Sequence, residues 1–322
     1  RDNIAKEDIF ELGKISLSTD SIHTVKPLSI DIPKGRLTTI TGMSGSGKTT
    51  LILESLYPAI KAKLNNVSMP SHIKDLKADW VNKIDLIDAT PIGNNVRSTV
   101  ATYSGVFDDL RKLYGKISSD YTASDFSYNT GKLRCGTCDG TGTISMDVQF
   151  LPDIEMTCNS CDGTRYSIEV DNIYYNKYSI KDVMRLTIRQ ALEVFKDNKK
   201  IRDKLQILVD LGIGYLTLGE ATPALSGGEA QRLKLASEIG KTQDGSVFIF
   251  DEPSIGLHPQ DVKTLLTVFQ KLIDNGATII VIEHDLDVIK NSDYIIDMGP
   301  EGGYLGGEIV ATGTVKDIKD SK

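Results

Sequence analysis

A chain of 322 residues, 40% hydrophobic and 25% charged, has room for two domains and a sizeable core. No apolar run approaches the ~20 residues that cross a bilayer, and the first residues carry no secretory h-region, so no membrane partner and a cytoplasmic location are expected. The formal net charge of −7 argues against a surface that coats nucleic acid generally, leaving room for a local basic patch. Arg1 stands where an initiator Met would be, which suggests a processed chain or a segment of a longer one.

Residues 36–41 (Arg-Leu-Thr-Thr-Ile-Thr) read as a β-branched buried strand running into a glycine loop, and 48–56 as the helix after it. From about 57 to 223 the pattern changes to polar turns, a cysteine-bearing segment and a mixed helical stretch over 179–211. A helix over 231–239 comes next, then a short apolar strand at 247–250 (Val-Phe-Ile-Phe). Residues 259–274 have helical spacing, with Val262, Leu265, Leu266, Phe269 and Leu272 on one side, and 278–282 form another buried strand. The glycine-rich tail 299–313 reads as turns and short strands. This alternation predicts an α/β fold, a mainly parallel sheet with crossover helices, interrupted by a mixed α/β insertion. The expected division is a discontinuous core, 1–56 and 236–322, around an inserted region, 57–235, with a cysteine module at 130–168.

Gly42-Met43-Ser44-Gly45-Ser46-Gly47-Lys48-Thr49 matches G-x-x-x-x-G-K-[ST], with a strand before it and a helix after. Gly42, Ser44, Gly45 and Gly47 are expected to turn backbone N–H groups toward the phosphates of ATP. Lys48 supplies a point charge to the β/γ-phosphates, the Thr49 hydroxyl suits Mg²⁺, and Thr50 closes the set. Asp251 and Glu252 end an apolar run. Asp251 is placed to hold Mg²⁺, mostly through water, and Glu252 to act as general base or to position the attacking water. Two adjacent acids alone would read as a solvated turn; the glycine loop upstream tips the balance.

Leu225-Ser226-Gly227-Gly228-Glu229 precedes an amphipathic helix, and Ser226 with the amides of Gly227 and Gly228 forms a second anion site. Alone it would be a helix cap. Beside a P-loop it is the signature of ATP-binding cassette ATPases, which completes the site of an opposing protomer. His284, just after the strand at 278–282, fits the histidine that senses the γ-phosphate in such cassettes. The four cysteines form two knuckles, Cys135/Cys138 and Cys158/Cys161, with 19 residues between the inner pair and Asp-Gly-Thr after each. A structural Zn²⁺ held by four thiolates is preferred over a disulfide pair.

With these motifs in place the chain resembles the C-terminal half of the UvrA family, the damage-recognition ATPases of bacterial nucleotide excision repair. The resemblance runs from about Leu28 to about Lys316. It is carried by Gly42–Thr50, Ala101-Thr102-Tyr103-Ser104-Gly105-Val106-Phe107, Phe150-Leu151-Pro152-Asp153 and Leu225–Ala236. Asp251–His258, Glu283–Lys290, Gly299-Pro300-Glu301-Gly302-Gly303 and the cysteine spacing complete it. It implies a cassette ATPase whose signature region carries a zinc module, working in a dimeric DNA clamp. One P-loop and one signature imply a second cassette half or a homodimer as partner, with DNA as substrate.

Two positions depart from the family pattern. Ala89 stands where the family has a glutamine that senses Mg²⁺ and the attacking water, and Asp125 stands where an arginine is usual. Over 125–170 seven acids (Asp125, Asp139, Asp147, Asp153, Glu155, Asp162, Glu169) face three bases (Lys132, Arg134, Arg165). The hairpin at 143–150 has no Lys or Arg, which weakens a DNA-contact reading there, since phosphate binding is driven by cationic contacts. Arg185, Arg189, Lys196, Lys199, Lys200, Arg202 and Lys204 could compensate, or form a solvated helix face. The main reading is an ATP-hydrolysing UvrA-like half; its rival is a nucleotide-gated, dimerising binding module with weak hydrolysis and another partner.

Overall fold

The computed structural model describes residues 8–146, 154–239 and 241–320. In chain order its strands are β1 (Lys14–Thr19), β2 (Leu28–Pro33), β3 (Leu37–Gly42), β4 (Ile73–Lys77), β5 (Lys83–Ile87), β6 (Thr143–Met146), β7 (Ile154–Thr157), β8 (Ser246–Asp251), β9 (Thr278–Ile282), β10 (Tyr294–Gly299) and β11 (Glu308–Gly313). The helices are α1 (Tyr57–Leu64), α2 (Val100–Tyr103), α3 (Val106–Ile117), α4 (Ile180–Arg185), α5 (Ile188–Val194), α6 (Lys199–Asp210), α7 (Gly227–Glu238), α8 (Pro259–Asp274), α9 (Leu286–Lys290) and α10 (Val315–Asp320). They form two compact units, one running to Asp88 and resuming at Glu238, the other Ala89–Ser237.

The first unit is built on a six-stranded sheet in the order β11-β10-β3-β9-β8-β5. Every pairing is parallel except β10 with β11. All five residues of β9 and the first five of β8 are buried, as expected for strands covered on both faces. Tyr57–Leu64 continues a π-helical segment, Thr50–Leu56, which comes after the glycine loop. A second, antiparallel sheet, β2-β1-β4, closes over the apolar residues of this helix.

The predicted α/β class with a mainly parallel sheet holds. The first domain boundary shifts: sequence placed it at 56/57, whereas the chain leaves the first unit only after Asp88. The reason is that β5 pairs with β8 along its whole length, Lys83 opposite Ser246 through Ile87 opposite Phe250. The second boundary moves by two residues, from 235/236 to 237/238.

The second unit has its own core, with Phe126, Tyr128, Tyr166 and Phe195 at its centre. The expected helical stretch at 179–211 is three helices, each begun by a capping side chain. Ser179 with Asp182, and Thr187 with Gln190, make reciprocal capping boxes, and Asn198 accepts from Ile201 N. Within the cysteine module β6 and β7 pair as an antiparallel hairpin. The arc of this hairpin that includes Asp147, Phe150, Leu151, Pro152 and Asp153 lies outside the described residues.

Ser179 is fully buried, accepts from Asp182 N and donates its hydroxyl to the Asp182 carboxylate. Ser179→Ala should therefore cost the second unit about 1–2 kcal/mol. Urea unfolding followed by tyrosine fluorescence should show the earlier transition, and Ser179→Thr, which keeps the hydroxyl that both donates and accepts, should recover part of it.

Candidate functional site

The ends of β3, β9 and β8 are neighbours, with Ile40 opposite Ile282 and Ile282 opposite Asp251. Three loops therefore emerge side by side: the glycine loop from β3, Glu283-His284 from β9 and Glu252 from β8. The ladder runs one step further, because Glu252 N donates to Ile282 O and Glu283 N donates to Ile40 O.

The glycine loop needs its glycines for space as well as for backbone angle. Gly47 has φ +98°, and a Cβ there would lie 2.5 Å from Val25 Cγ2; at Gly42 (φ +136°) it would lie 2.0 Å from Met298 O. The Lys48 ammonium donates to Gly42 O and Met43 O, both at 2.8 Å, so it arches over its own loop. Burial lowers its pKa, while the carboxylates of Glu252 and Asp297 pull the other way. The amides of Ser44, Gly45 and Gly47 hydrogen-bond no other group among the described residues, and Ser44, Gly45 and Thr49 are exposed. Thr50 lies in the π-helical segment, its hydroxyl on Glu54. A cradle of free N–H groups beside an ammonium fits a phosphate chain.

A contact that sequence did not foretell closes the other side of this loop. Gly303 N donates to Gly45 O at 3.0 Å and Gly307 N to Ser46 O at 3.2 Å, so the glycine-rich tail after β10 braces the cradle. The signal was there, in the density of glycines between Gly299 and Gly313, but its partner was not.

Asp251 and Glu252 stand where the sequence placed them. Burial raises the Asp251 pKa, helped by the charges of Glu252, Asp88 and Glu283. Glu252 adopts φ +46°, unusual for a side-chain-bearing residue, and its Oε1 lies 3.7 Å from His284 Nδ1. Both side chains are solvent-accessible. Lys48, Asp251, Glu252 and His284 thus share one edge of one sheet.

Ser226, Gly227 and Gly228 belong to the second unit. Ser226 N donates to Glu229 Oε2 (2.7 Å) and Glu229 N to Ser226 Oγ (3.4 Å), a reciprocal cap that starts α7 at Gly227, earlier than the sequence suggested. Tyr215 donates to the other oxygen of Glu229. A Cβ at Gly227 would lie 2.9 Å from Ala89 O, so the start of this helix packs against the residue that replaces the expected glutamine.

The cysteines of the second unit are all buried and free, with Cys135 Sγ–Cys158 Sγ at 3.9 Å, Cys138 Sγ–Cys161 Sγ at 3.7 Å and all four sulfurs within 4.8 Å of one another. A tetrahedral ion with metal–sulfur bonds of about 2.3 Å has sulfur–sulfur edges of about 3.8 Å, so the cluster fits such an ion. The two knuckles are built alike. Asp139 and Asp162 both have φ +48°, and Thr141 and Thr164 each return an N–H and a hydroxyl to the carbonyl of the preceding Cys138 or Cys161. Arginines bind each turn from outside, Arg97 and Arg134 on Asp139 and Arg185 on Asp162.

A parallel sheet with a P-loop at its centre, an acidic strand end beside it and a capped Ser-Gly-Gly helix defines an ATP-binding cassette fold. No protein-family model matches the chain. It is 45% identical over 316 residues to UvrABC system protein A of Staphylococcus aureus (strain COL), covering 96% of this chain and 33% of that protein. The Staphylococcus epidermidis protein of the same name is 44% identical, with 96% and 34% covered. UvrA2 from Deinococcus radiodurans, a crystal structure, matches with a TM-score of 0.83 at 36% identity, over 99% of this chain and 38% of that one. The chain belongs to the UvrA family and spans about a third of the length of the curated relatives it matches.

The raised Asp251 pKa has a consequence for stability. A carboxyl whose folded pKa lies above its unfolded value of 3.8 holds its proton more tightly when folded, so ionising it opposes folding. The penalty grows as pH rises from about 4 through the folded pKa and is fully present above it. Asp251→Asn should raise the melting temperature of the nucleotide-free chain at pH 7, and the advantage should shrink toward pH 4. An unchanged or lowered melting temperature at pH 7 would contradict this.

Proposed function

We propose that the chain is an ATPase in which Mg·ATP binds the P-loop edge of the first unit and is closed by the signature of a second cassette, either another cassette half or a second copy with its own Ser226. The observation that carries this reading is the meeting of Lys48, Asp251, Glu252 and His284 at adjacent parallel strand ends. The Ser44, Gly45 and Gly47 amides and Lys48 hold the phosphates, and Thr49 and Asp251 hold Mg²⁺, which neutralises phosphate charge when bound. Glu252 orients water and takes its proton, with His284 beside it to contact the γ-phosphate. Ser226 and the amides of Gly227 and Gly228, at a helix N-terminus, meet the phosphate from the opposing copy.

As a member of the UvrA family the chain is further proposed to control a protein–DNA assembly in nucleotide excision repair, using ATP to change the geometry of a DNA clamp. The cysteine cluster would hold one structural Zn²⁺, because four thiolates leave no open position for chemistry. A second reading, a nucleotide-gated binding module with weak turnover, is favoured by two observations. Ala89 has no group to ligate metal or water. Of the basic residues between Arg185 and Lys204 that could meet DNA, Arg185, Arg202 and Lys204 are engaged by Asp162, Asp203 and Asp109. Salt-dependent duplex binding by the wild-type chain at low ionic strength supports the repair reading, and its absence supports the module.

Lys48→Ala should weaken ATP binding by at least about tenfold, since a hydrogen bond to a charged group contributes about 1.5–3 kcal/mol. Equal affinities in calorimetry would remove the P-loop assignment. Glu252→Gln keeps shape and should leave binding intact while slowing turnover by about 10²–10⁴-fold, the range for loss of a general base. An unaffected turnover number would take Glu252 out of the chemistry.

Elemental analysis should find one zinc per chain. Chelation should expose the segment around the knuckles to protease before the first unit, because thiolate ligation couples local folding to metal. A purified chain with no zinc, or with a disulfide between knuckles, would overturn the metal assignment.

A further inference from the structure

We propose that Glu283 is a positioning residue for turnover at this site: its carboxylate is a clip, one oxygen holding the loop after β8 and the other the loop after β9. The proposal deepens the ATPase reading and rests on it.

Glu283 is a charged residue with no exposure at all, directly before His284. Its backbone is fixed, because Glu283 N donates to Ile40 O in β3 at 3.1 Å. Its side chain then divides between two loops. Oε1 accepts from Ser254 N at 2.8 Å, and Oε2 accepts from His284 N at 2.9 Å and Asp285 N at 3.1 Å. Among the described residues no Lys or Arg pairs with it, and the nearest ionisable donor is His284 Nδ1, 3.9 Å from Oε2. A buried carboxylate is tolerated only when its lone pairs are used, and here three backbone N–H groups use them. The charge is thus spent on holding backbone rather than on an ion pair.

The residues carried by the two loops give the clip its consequence. Ser254 lies two residues beyond Glu252, and His284 is the residue after the clip itself. The functional ends of these loops already approach each other, with Glu252 Oε1 3.7 Å from His284 Nδ1. Asp285 goes on to cap α9 by accepting from Asp287 N and Val288 N, so the second loop is anchored from behind as well. A displacement of either loop must pull the carboxylate and, through it, the other loop. Proton transfer and water positioning tolerate little misplacement, about a hundredfold in rate for about 1 Å. Holding Glu252 and His284 in one register is therefore a requirement of turnover, and Glu283 is the group that meets it.

A carboxylate is required because both ends must accept. In Glu283→Gln the amide nitrogen replaces one oxygen and faces an N–H with another N–H, so whichever way the amide turns, one loop is released. Size is unchanged and the phosphate cradle is untouched.

The test compares wild type and Glu283→Gln in ATP affinity, kcat, KM and amide hydrogen exchange. The expected result is affinity within about twofold, kcat lower by at least about tenfold and faster exchange at Ser254, or at His284 and Asp285. Unchanged kcat in a folded variant overturns the proposal. So does a joint fall of affinity, kcat and melting temperature, which would mark a merely structural role. Should the variant fail to fold, the wild-type chain still decides: fast exchange at those three amides without nucleotide overturns the clip. A wild-type chain that binds ATP and never hydrolyses it overturns the ATPase reading instead, and the exchange data then judge the clip by themselves.

Discussion

The parallel ladder of β3, β9 and β8 is the constraint on which the nucleotide edge depends. Strands buried on both faces can satisfy their backbone only through neighbours, and their side chains, almost all apolar or β-branched, leave no alternative face for solvent. Parallel pairing then forces every C-terminal strand end to the same edge. The glycine loop, the acidic pair and Glu283-His284 are local sequences far apart in the chain, and this ladder brings them to one edge of the sheet. The continuation of the hydrogen bonding through Glu252 N and Glu283 N carries the sheet's regularity into the loops themselves.

The cysteine module solves a different problem. A hairpin that leaves apolar residues in water is not held by burial alone, and Ile144 and Met156 of its strands remain substantially exposed. Two like turns, each closed by a threonine on a cysteine carbonyl and gripped by arginines on an aspartate, bring four thiols into one cluster. A metal at that cluster would supply the cross-link that the missing core cannot. Of the acids in this segment, Asp139 and Asp162 are taken up by these arginines.

Motif residues were legible because their chemistry demands fixed spacing. The buried strands β8 and β9 and the helix α8 lie as the sequence indicated, whereas the helix after Ser226 begins at Gly227 rather than at 231. Less legible was β5, whose Lys83 and Asp85 alternate with apolar residues and read as a surface turn, although the strand extends the main sheet and moves the domain boundary to Asp88. The antiparallel strands β1, β2 and β4 were hidden in the same way, being half polar. Glu283 illustrates the remaining limit. Between an apolar strand and a histidine, a glutamate reads as a solvated residue, and only the placement of three backbone N–H groups from two loops explains its burial. Such a role depends on tertiary geometry that spacing does not encode.

On the proposed mechanism each nucleotide is held by the P-loop of one copy and completed by the signature of another. Mixing two inactive chains, Lys48→Ala and Ser226→Arg, and measuring ATP hydrolysis tests this most directly. Each alone should be inactive, the first without a phosphate cradle and the second with a blocked signature. In an equal mixture, half of the dimers pair the intact P-loop of one chain with the intact signature of the other. With independent sites and random pairing, activity should recover to about a quarter of the wild-type value. A mixture as inactive as its components, while the wild type hydrolyses ATP at concentrations where it is monomeric, would contradict the account.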